Sequence, residues 1–175
     1  MKTVGVYLFL KDLAKMALQH LVFPVAYRLY RRGSADEGLV LFADAHNSAL
    51  PFSMEEMYRA VTARGYRAQV FCADFSEISF SEKVRFCLSF LKAYANAGTL
   101  FLCDYFLPAA SCKKRPETRV VQLWHGCGTF KKFGYDAEDD ISGIYRGNPC
   151  KNTDYVTVSA PVCVRAYETA LGLPR

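Results

Sequence analysis

Five short, nearly all-apolar runs alternate along this chain with stretches of helical periodicity. The runs are GLVLFADA (38–45), RAQVFCA (67–73), TLFLCD (99–104), RVVQLWH (119–125) and DYVTVSA (154–160). A strand that is apolar at consecutive positions is buried on both faces, which is the habit of parallel sheets covered by helices on each side. Between the runs, Ser53 and Glu56 have capping-box spacing ahead of Met54, Met57, Tyr58 and Val61, and Gly65 supplies a stop. Ser79 and Glu82 repeat that spacing before a helix over 81–97, which carries Val84, Cys87, Leu88, Leu91 and Tyr94 and is expected to end at Gly98. A last helix is expected over 161–171, ending at Gly172. The pattern predicts an α/β fold: a Rossmann-like parallel sheet flanked by helices, preceded by a basic amphipathic N-terminal helical segment.

Charge sharpens the division. Of 22 Lys and Arg and 17 Asp and Glu, residues 1–32 hold six basic groups and one acid, and the remaining 143 residues hold sixteen of each. A nucleic-acid-binding body would spread its cations over a folded face, so nucleic acid is not an expected partner. The segment 11–32 places Leu, Val, Phe and Tyr between basic flanks, which fits a helix on an anionic membrane surface. A helix packed on the body with its basic end in water accounts for the same residues. Pro24 is expected to divide it into two helical pieces. GSADEG (33–38) reads as a polar linker and residues 38–175 as one domain. Seven cysteines without a CxxC pair, three of them inside apolar runs, suit a reducing compartment.

In a parallel sheet the working groups collect beyond the carboxyl ends of strands. That rule selects the loops 44–52, 73–80, 104–112 and 125–134. The strongest local signal is VVQLWHGCGTFKKFGYD (120–136). It places His125 at a strand end, a side chain whose ordinary pKa suits proton transfer near neutrality. Trp124 precedes it. Gly126 and Gly128 permit close approach of a ligand, and Lys131 and Lys132 are candidates for phosphate. His46 and Asn47, next to Asp44 beyond the first strand, are candidates to orient a hydroxyl, or else plain loop residues. A metal site from Asp44, His46 and His125 has no supporting spacing. Cys127 as a nucleophile lacks a base free to orient toward it. CKKR (112–115) reads as a solvated loop, and AEDD (137–140) as a loop with a possible Mg²⁺ contact. No GxGxxG or P-loop pattern is present, which disfavours dinucleotide and P-loop chemistry.

The Trp-His-Gly stretch resembles the signature of the CDP-glycerol glycerophosphotransferase family, the teichoic-acid polymerases and primases of Gram-positive bacteria. ADAHNSALPFSMEEMYRAV, CDYFLPAASCKKRPETRVVQLWHG and DYVTVSAPVCVRAYETALGLP resemble the segments around it, so the resemblance covers roughly residues 38–174. It implies a GT-B architecture of two Rossmann-like domains. It also implies transfer of glycerol phosphate or ribitol phosphate from a CDP-activated donor such as CDP-glycerol to a lipid-linked polyol-phosphate acceptor, with release of CMP. His125 would be the base, and the enzyme would sit peripherally on the inner face of the cell membrane, in the cytoplasm. No cofactor is implied beyond the donor, and the part played by a divalent metal stays open. In the family the donor-binding half and a second catalytic His follow this region. The chain is therefore expected to be the N-terminal, acceptor-side half, with negligible turnover on its own. Many relatives carry Thr-Pro where Cys127-Gly128 stands. Two other readings stay open: a non-catalytic Rossmann-like binding or membrane-docking module, and a GT-B fragment that uses a nucleotide sugar.

Overall fold

The computed structural model describes residues 13–126, 128–137 and 148–173. Strands β1 (Asp36–Asp44), β2 (Arg67–Cys72), β3 (Ala97–Leu102), β4 (Arg119–Gln122) and β5 (Tyr155–Val156) form one sheet. Every pairing is parallel and the order is β2-β1-β3-β4-β5. This is the α/β Rossmann-like arrangement that the apolar runs predict. Alternate side chains of β1 serve two cores. Leu39, Leu41 and Ala43 pack with Phe90, Leu91, Tyr94 and Leu100 on one face, and Val40 and Phe42 pack with Met54 and Phe101 on the other. Burial on both faces is why β1 reads as a continuous apolar run rather than an alternating one.

Helices α2 (Phe52–Ala63), α3 (Phe80–Tyr94), α4 (Leu107–Ser111) and α5 (Val164–Leu171) follow β1, β2, β3 and β5, all after the helical segment at the amino end. The Ser79–Glu82 capping box is present in both directions. The Ser53–Glu56 box is not: Pro51 stands at the N-cap and Ser53 already lies in the first turn of α2, while Glu55 and Glu56 pair with Arg59. Gly98 does not end α3. It lies within β3, where a Cβ would come 2.7 Å from the Glu37 Cα, so the glycine lets β3 close onto the start of β1. β1 itself begins at Asp36, inside the expected linker, and Asp36 pairs with Arg67 of β2. Gly65 and Gly172 adopt positive φ at the ends of α2 and α5, as helix stops do. The expected last helix opens with a 3₁₀ turn, Pro161–Cys163.

Pro24 does not divide the N-terminal helix. Residues 13–17 are helical, a π turn spans Leu18–Val22, and α1 (Phe23–Tyr30) continues from it. The Phe23 N–H reaches back five residues to the Leu18 carbonyl. Widening one turn makes room for the proline ring, which would otherwise strike the carbonyl four residues back. One face of α1 belongs to the core, with Phe23 and Tyr27 each 2% exposed and Tyr27 against Tyr94 at 5.2 Å. Leu21, Val25 and Leu29 point outward, Leu29 at 77% exposure.

CKKR is not a solvated loop. Arg115 is buried, and its guanidinium donates to the carbonyls of Ala95 (2.7 Å), Gly33 (2.8 Å) and Arg32 (3.2 Å). Its backbone N–H donates to Tyr27 Oη at 3.1 Å, and Cys112 is fully buried. The cation satisfies carbonyls left over where α3 and the 31–35 connection leave regular structure, joining the N-terminal helix to the sheet. Arg115→Met keeps the stem and strands those acceptors, so it is expected to cost about 2 kcal/mol in urea unfolding. A variant as stable as the parent would show that solvent replaces the guanidinium at no cost.

Candidate functional site

β1 lies between β2 and β3, so the chain leaves the carboxyl ends of β1 and β3 in opposite directions across the sheet, the kind of switch point where open α/β sheets bind ligands. Asp44 closes β1, Asp104 follows β3 by two residues, and His125 follows β4 by three. The Asp104 carboxylate joins the three loops: its Oδ2 lies 3.4 Å from His46 Nε2 and 3.4 Å from His125 Nδ1. The Asp104 side chain is 21% exposed, whereas His125 is 46% and His46 64% exposed. Two solvent-facing imidazoles thus stand on one mostly buried acid.

β4 is shorter than the apolar run 119–125 because the backbone turns sharply at Trp124, a non-glycine residue with φ of 60°. Such a conformation costs of order 1–3 kcal/mol and persists only where its surroundings enforce it. Here Gln122, fully buried, accepts from the Trp124 N–H at 3.1 Å and donates to the Asp104 carbonyl at 3.1 Å. Tyr167 of α5 donates to the Gly126 carbonyl at 2.7 Å. The Trp124 indole is buried, 4.9 Å from Phe133 and stacked on the His125 ring at 4.7 Å. The result fixes the His125 ring with Nδ1 inward, 3.2 Å from the Cys103 carbonyl.

Burial lifts the Asp104 carboxyl above its usual range. The Tyr105 N–H, His125 and His46 oppose that rise, and Asp44 adds to it. For Asp44 burial also pushes upward, but the Asn47 amide, the Cys103 thiol and the backbone N–H groups of His46 and Asn47 outweigh it and hold this carboxyl low. Asp44 Oδ2 accepts from His46 N (3.0 Å), Asn47 N (2.7 Å) and Asn47 Nδ2 (2.8 Å), and Oδ1 from Cys103 Sγ (3.1 Å). Asn47 therefore builds the loop that presents His46. Burial pushes the Cys103 thiol far up, so it stays protonated as that donor.

Of the residues read from sequence, His46, Trp124, His125 and Gly126 come together. Lys131 and Lys132 lie on an exposed turn and line a separate depression with Asp136 and Ala166. Gly128 has φ of +93°, a conformation that favours glycine. Cys127 and residues 138–140 lie outside the described residues. Among the described residues no group of three or more His, Cys, Asp and Glu is placed to hold a metal ion. Six described cysteines, at 72, 87, 103, 112, 150 and 163, are free thiols. Asp104 and Gln122 were not picked from sequence. Asp104 follows an apolar run at its carboxyl end, and Gln122 is the lone polar residue inside VVQLW, so each carried a signal.

A His–Asp–His cluster at the switch point of a Rossmann-like sheet has the groups that proton transfer requires. The profile of the CDP-Glycerol:Poly(glycerophosphate) glycerophosphotransferase family matches residues 25–174, and the chain belongs to that family. It is similar to the teichoic acid ribitol-phosphate primase of Bacillus spizizenii, with 38% identity over 96 residues covering 46% of this chain and 25% of that protein. It is also similar to the teichoic acid glycerol-phosphate primase of Bacillus subtilis, with 27% identity over 86 residues covering 45% of this chain and 22% of that protein. The matched stretch is thus about a quarter of the length of either relative.

Proposed function

We propose that this chain is the acceptor side of a transferase that moves glycerol phosphate, or ribitol phosphate, from a CDP-activated donor to a polyol-phosphate chain, releasing CMP. Family membership supports the reaction class, and the names of the two relatives keep both polyols in view. The observation that carries the role of His125 is its orientation. Among the described residues Nδ1 faces two acceptors, the Cys103 carbonyl and the Asp104 carboxylate, an arrangement that favours the ring proton at Nδ1. Nε2 then keeps its lone pair on the open side. There it takes the proton of the acceptor hydroxyl as that oxygen bonds to the donor's β-phosphorus and the bond from phosphorus to the CMP oxygen breaks. His46 stands on the same carboxylate and orients the hydroxyl, while Lys131 and Lys132 are available to phosphates farther along the acceptor.

The test is CMP release from CDP-glycerol and from CDP-ribitol with a polyol-phosphate acceptor, in the natural protein that carries this domain. UDP-sugars in parallel test the nucleotide-sugar alternative. The chain matches about a quarter of the length of either relative, and both nucleophile and leaving group must be stabilised, so on this reading residues 1–175 by themselves are expected to release CMP negligibly. Robust release by these residues, lost in His125→Ala, would overturn that half-site reading.

We place the protein peripherally on an anionic membrane surface, where a lipid-linked acceptor would lie. The outward stripe Leu21, Val25 and Leu29, with Arg28, Arg31 and Arg32 beside it, supports this. No helix among the described residues is long and apolar enough to cross a membrane. Serine at all three stripe positions is expected to abolish flotation with anionic liposomes while leaving the thermal melt intact, since these side chains are already exposed. Undiminished flotation would sink the membrane reading. Deleting residues 1–32 is a poorer test, because it also removes Phe23 and Tyr27 from the core.

A further inference from the structure

A groove of about 250 Å³ lies between the helical residues before α1, the amino end of α3, and α4. Its walls include Phe75, Phe80, Val84 and Leu107, and Lys15 and Lys83 line it as well. Neither lysine makes an ion pair among the described residues. Asp74, whose carboxyl senses Lys83, is bound instead by the Ser76 hydroxyl and N–H at 2.6 and 2.7 Å. Phe80 is 58% exposed, so an apolar wall faces water beside the two lysines.

The groove adjoins the histidine cluster. The Phe75 N–H donates to the Ala45 carbonyl at 3.0 Å, one residue before His46, and Leu107 stands three residues after Asp104. We infer that this groove binds the first part of the hydrocarbon of a lipid phosphate, with Lys15 and Lys83 on the phosphate. Apolar walls alone would accept any greasy chain. Two ammonium groups that form no ion pair among the described residues select one that ends in an anion. The volume falls below the roughly 300–1,000 Å³ of sites that enclose a whole small molecule, so the groove takes a stretch of chain and leaves the rest in the bilayer. The outward stripe on the same helical segment places that bilayer next to it. The inference deepens the transferase reading and rests on it for the purpose of the site: a lipid phosphate held here would direct its polar extension toward His125.

The test uses the full 175-residue chain, titrated with octyl phosphate below its micelle concentration, with 1-octanol and with inorganic phosphate. The resonances of Phe75, Phe80, Val84 and Leu107 are followed by NMR. Octyl phosphate is expected to saturate at one equivalent and to bind about tenfold tighter than 1-octanol, while inorganic phosphate leaves these resonances unmoved. Lys15→Gln combined with Lys83→Gln should bring octyl phosphate down to the octanol level. Phe80→Ser, at an exposed side chain that the fold does not need, should weaken both alkyl ligands about fivefold. Equal affinity for alcohol and phosphate, binding unchanged in the double-glutamine variant, or shifts that map elsewhere would overturn the inference. So would Overhauser contacts from residues 1–12 into Phe75 and Phe80 in the free chain, which give the groove to the chain's own amino terminus. A dimer lost in Phe80→Ser gives it to a second copy and overturns it too. CMP release is independent of this assay: failure there with octyl phosphate binding intact sinks the transferase reading and keeps the groove.

Discussion

His125→Ala should lower CMP release about 10²–10⁴-fold in the natural protein, the usual worth of a positioned general base. The ring is nearly half exposed and its bond to the Cys103 carbonyl lies outside the turn, so its removal leaves the turn intact. Gln122 and Tyr167 still hold the backbone on either side. The stability cost should be about 1–2 kcal/mol, from the stack on Trp124 and the part-exposed hydrogen bond to the Cys103 carbonyl. Donor affinity, measured by calorimetry, should stay near the parent value, because the lost interaction belongs to the acceptor's proton. A loss smaller than tenfold, in a variant shown to be folded, would remove His125 from the chemistry.

Asp104→Asn should produce an unusual pair of changes: lower activity and higher stability. The carboxylate leaves His125 Nδ1 no choice but to carry its proton. An amide of the same shape can offer an N–H₂ group to that nitrogen, leaving the Cys103 carbonyl alone to hold the proton there and so populating the tautomer whose Nε2 is already protonated. CMP release is then expected to fall about 10²-fold. Stability moves the other way. The carboxyl's pKa is raised by burial, so its proton is held more tightly in the folded chain than in the unfolded one. The stabilisation that proton provides is complete below the ordinary carboxylate range and is lost as pH rises through the raised value. Near neutrality the parent therefore carries the cost of a buried ionised acid that the asparagine variant lacks. The variant should melt above the parent at pH 7–8, and its advantage should vanish as the pH falls into the carboxylate range. Parental activity, or a lower melting temperature at pH 7.5, would contradict the assignment of Asp104 as the residue that positions His125. Asp44 differs: its pKa is lowered, so the stability it contributes is present above the ordinary carboxylate range and is lost as pH falls through the lowered value.

The sheet was legible because burial on both faces leaves a mark in consecutive residues, as in Leu39 to Ala43 and Leu100 to Leu102. Strand ends were less legible because tertiary contacts set them. Trp124 stops β4 through a backbone reversal enforced by Gln122 and Tyr167, one of them 43 residues away in sequence. Arg115 read as solvated because a basic tripeptide usually is; only the fold reveals the carbonyls it serves. His125 stood out by residue type and position. Its partner Asp104 carried only the weaker signal of an acid at the end of an apolar run, and the contact with His125 exists only once β3 and β4 pair.

That pairing has a kinetic consequence. His46, Asp104 and His125 reach one another only across strands that are parallel, and parallel neighbours cannot meet through a hairpin. The ladder joins Leu41 to Leu100 and Leu100 to Val120, so the cluster waits on long loop closures rather than on local structure. A folding intermediate with α3 formed and β4 unpaired would show most of the final helical signal and none of the histidine cluster. In refolding from urea, far-ultraviolet ellipticity should therefore recover in part ahead of fluorescence from Trp124, whose quenching by the stacked His125 ring requires β4 to have docked.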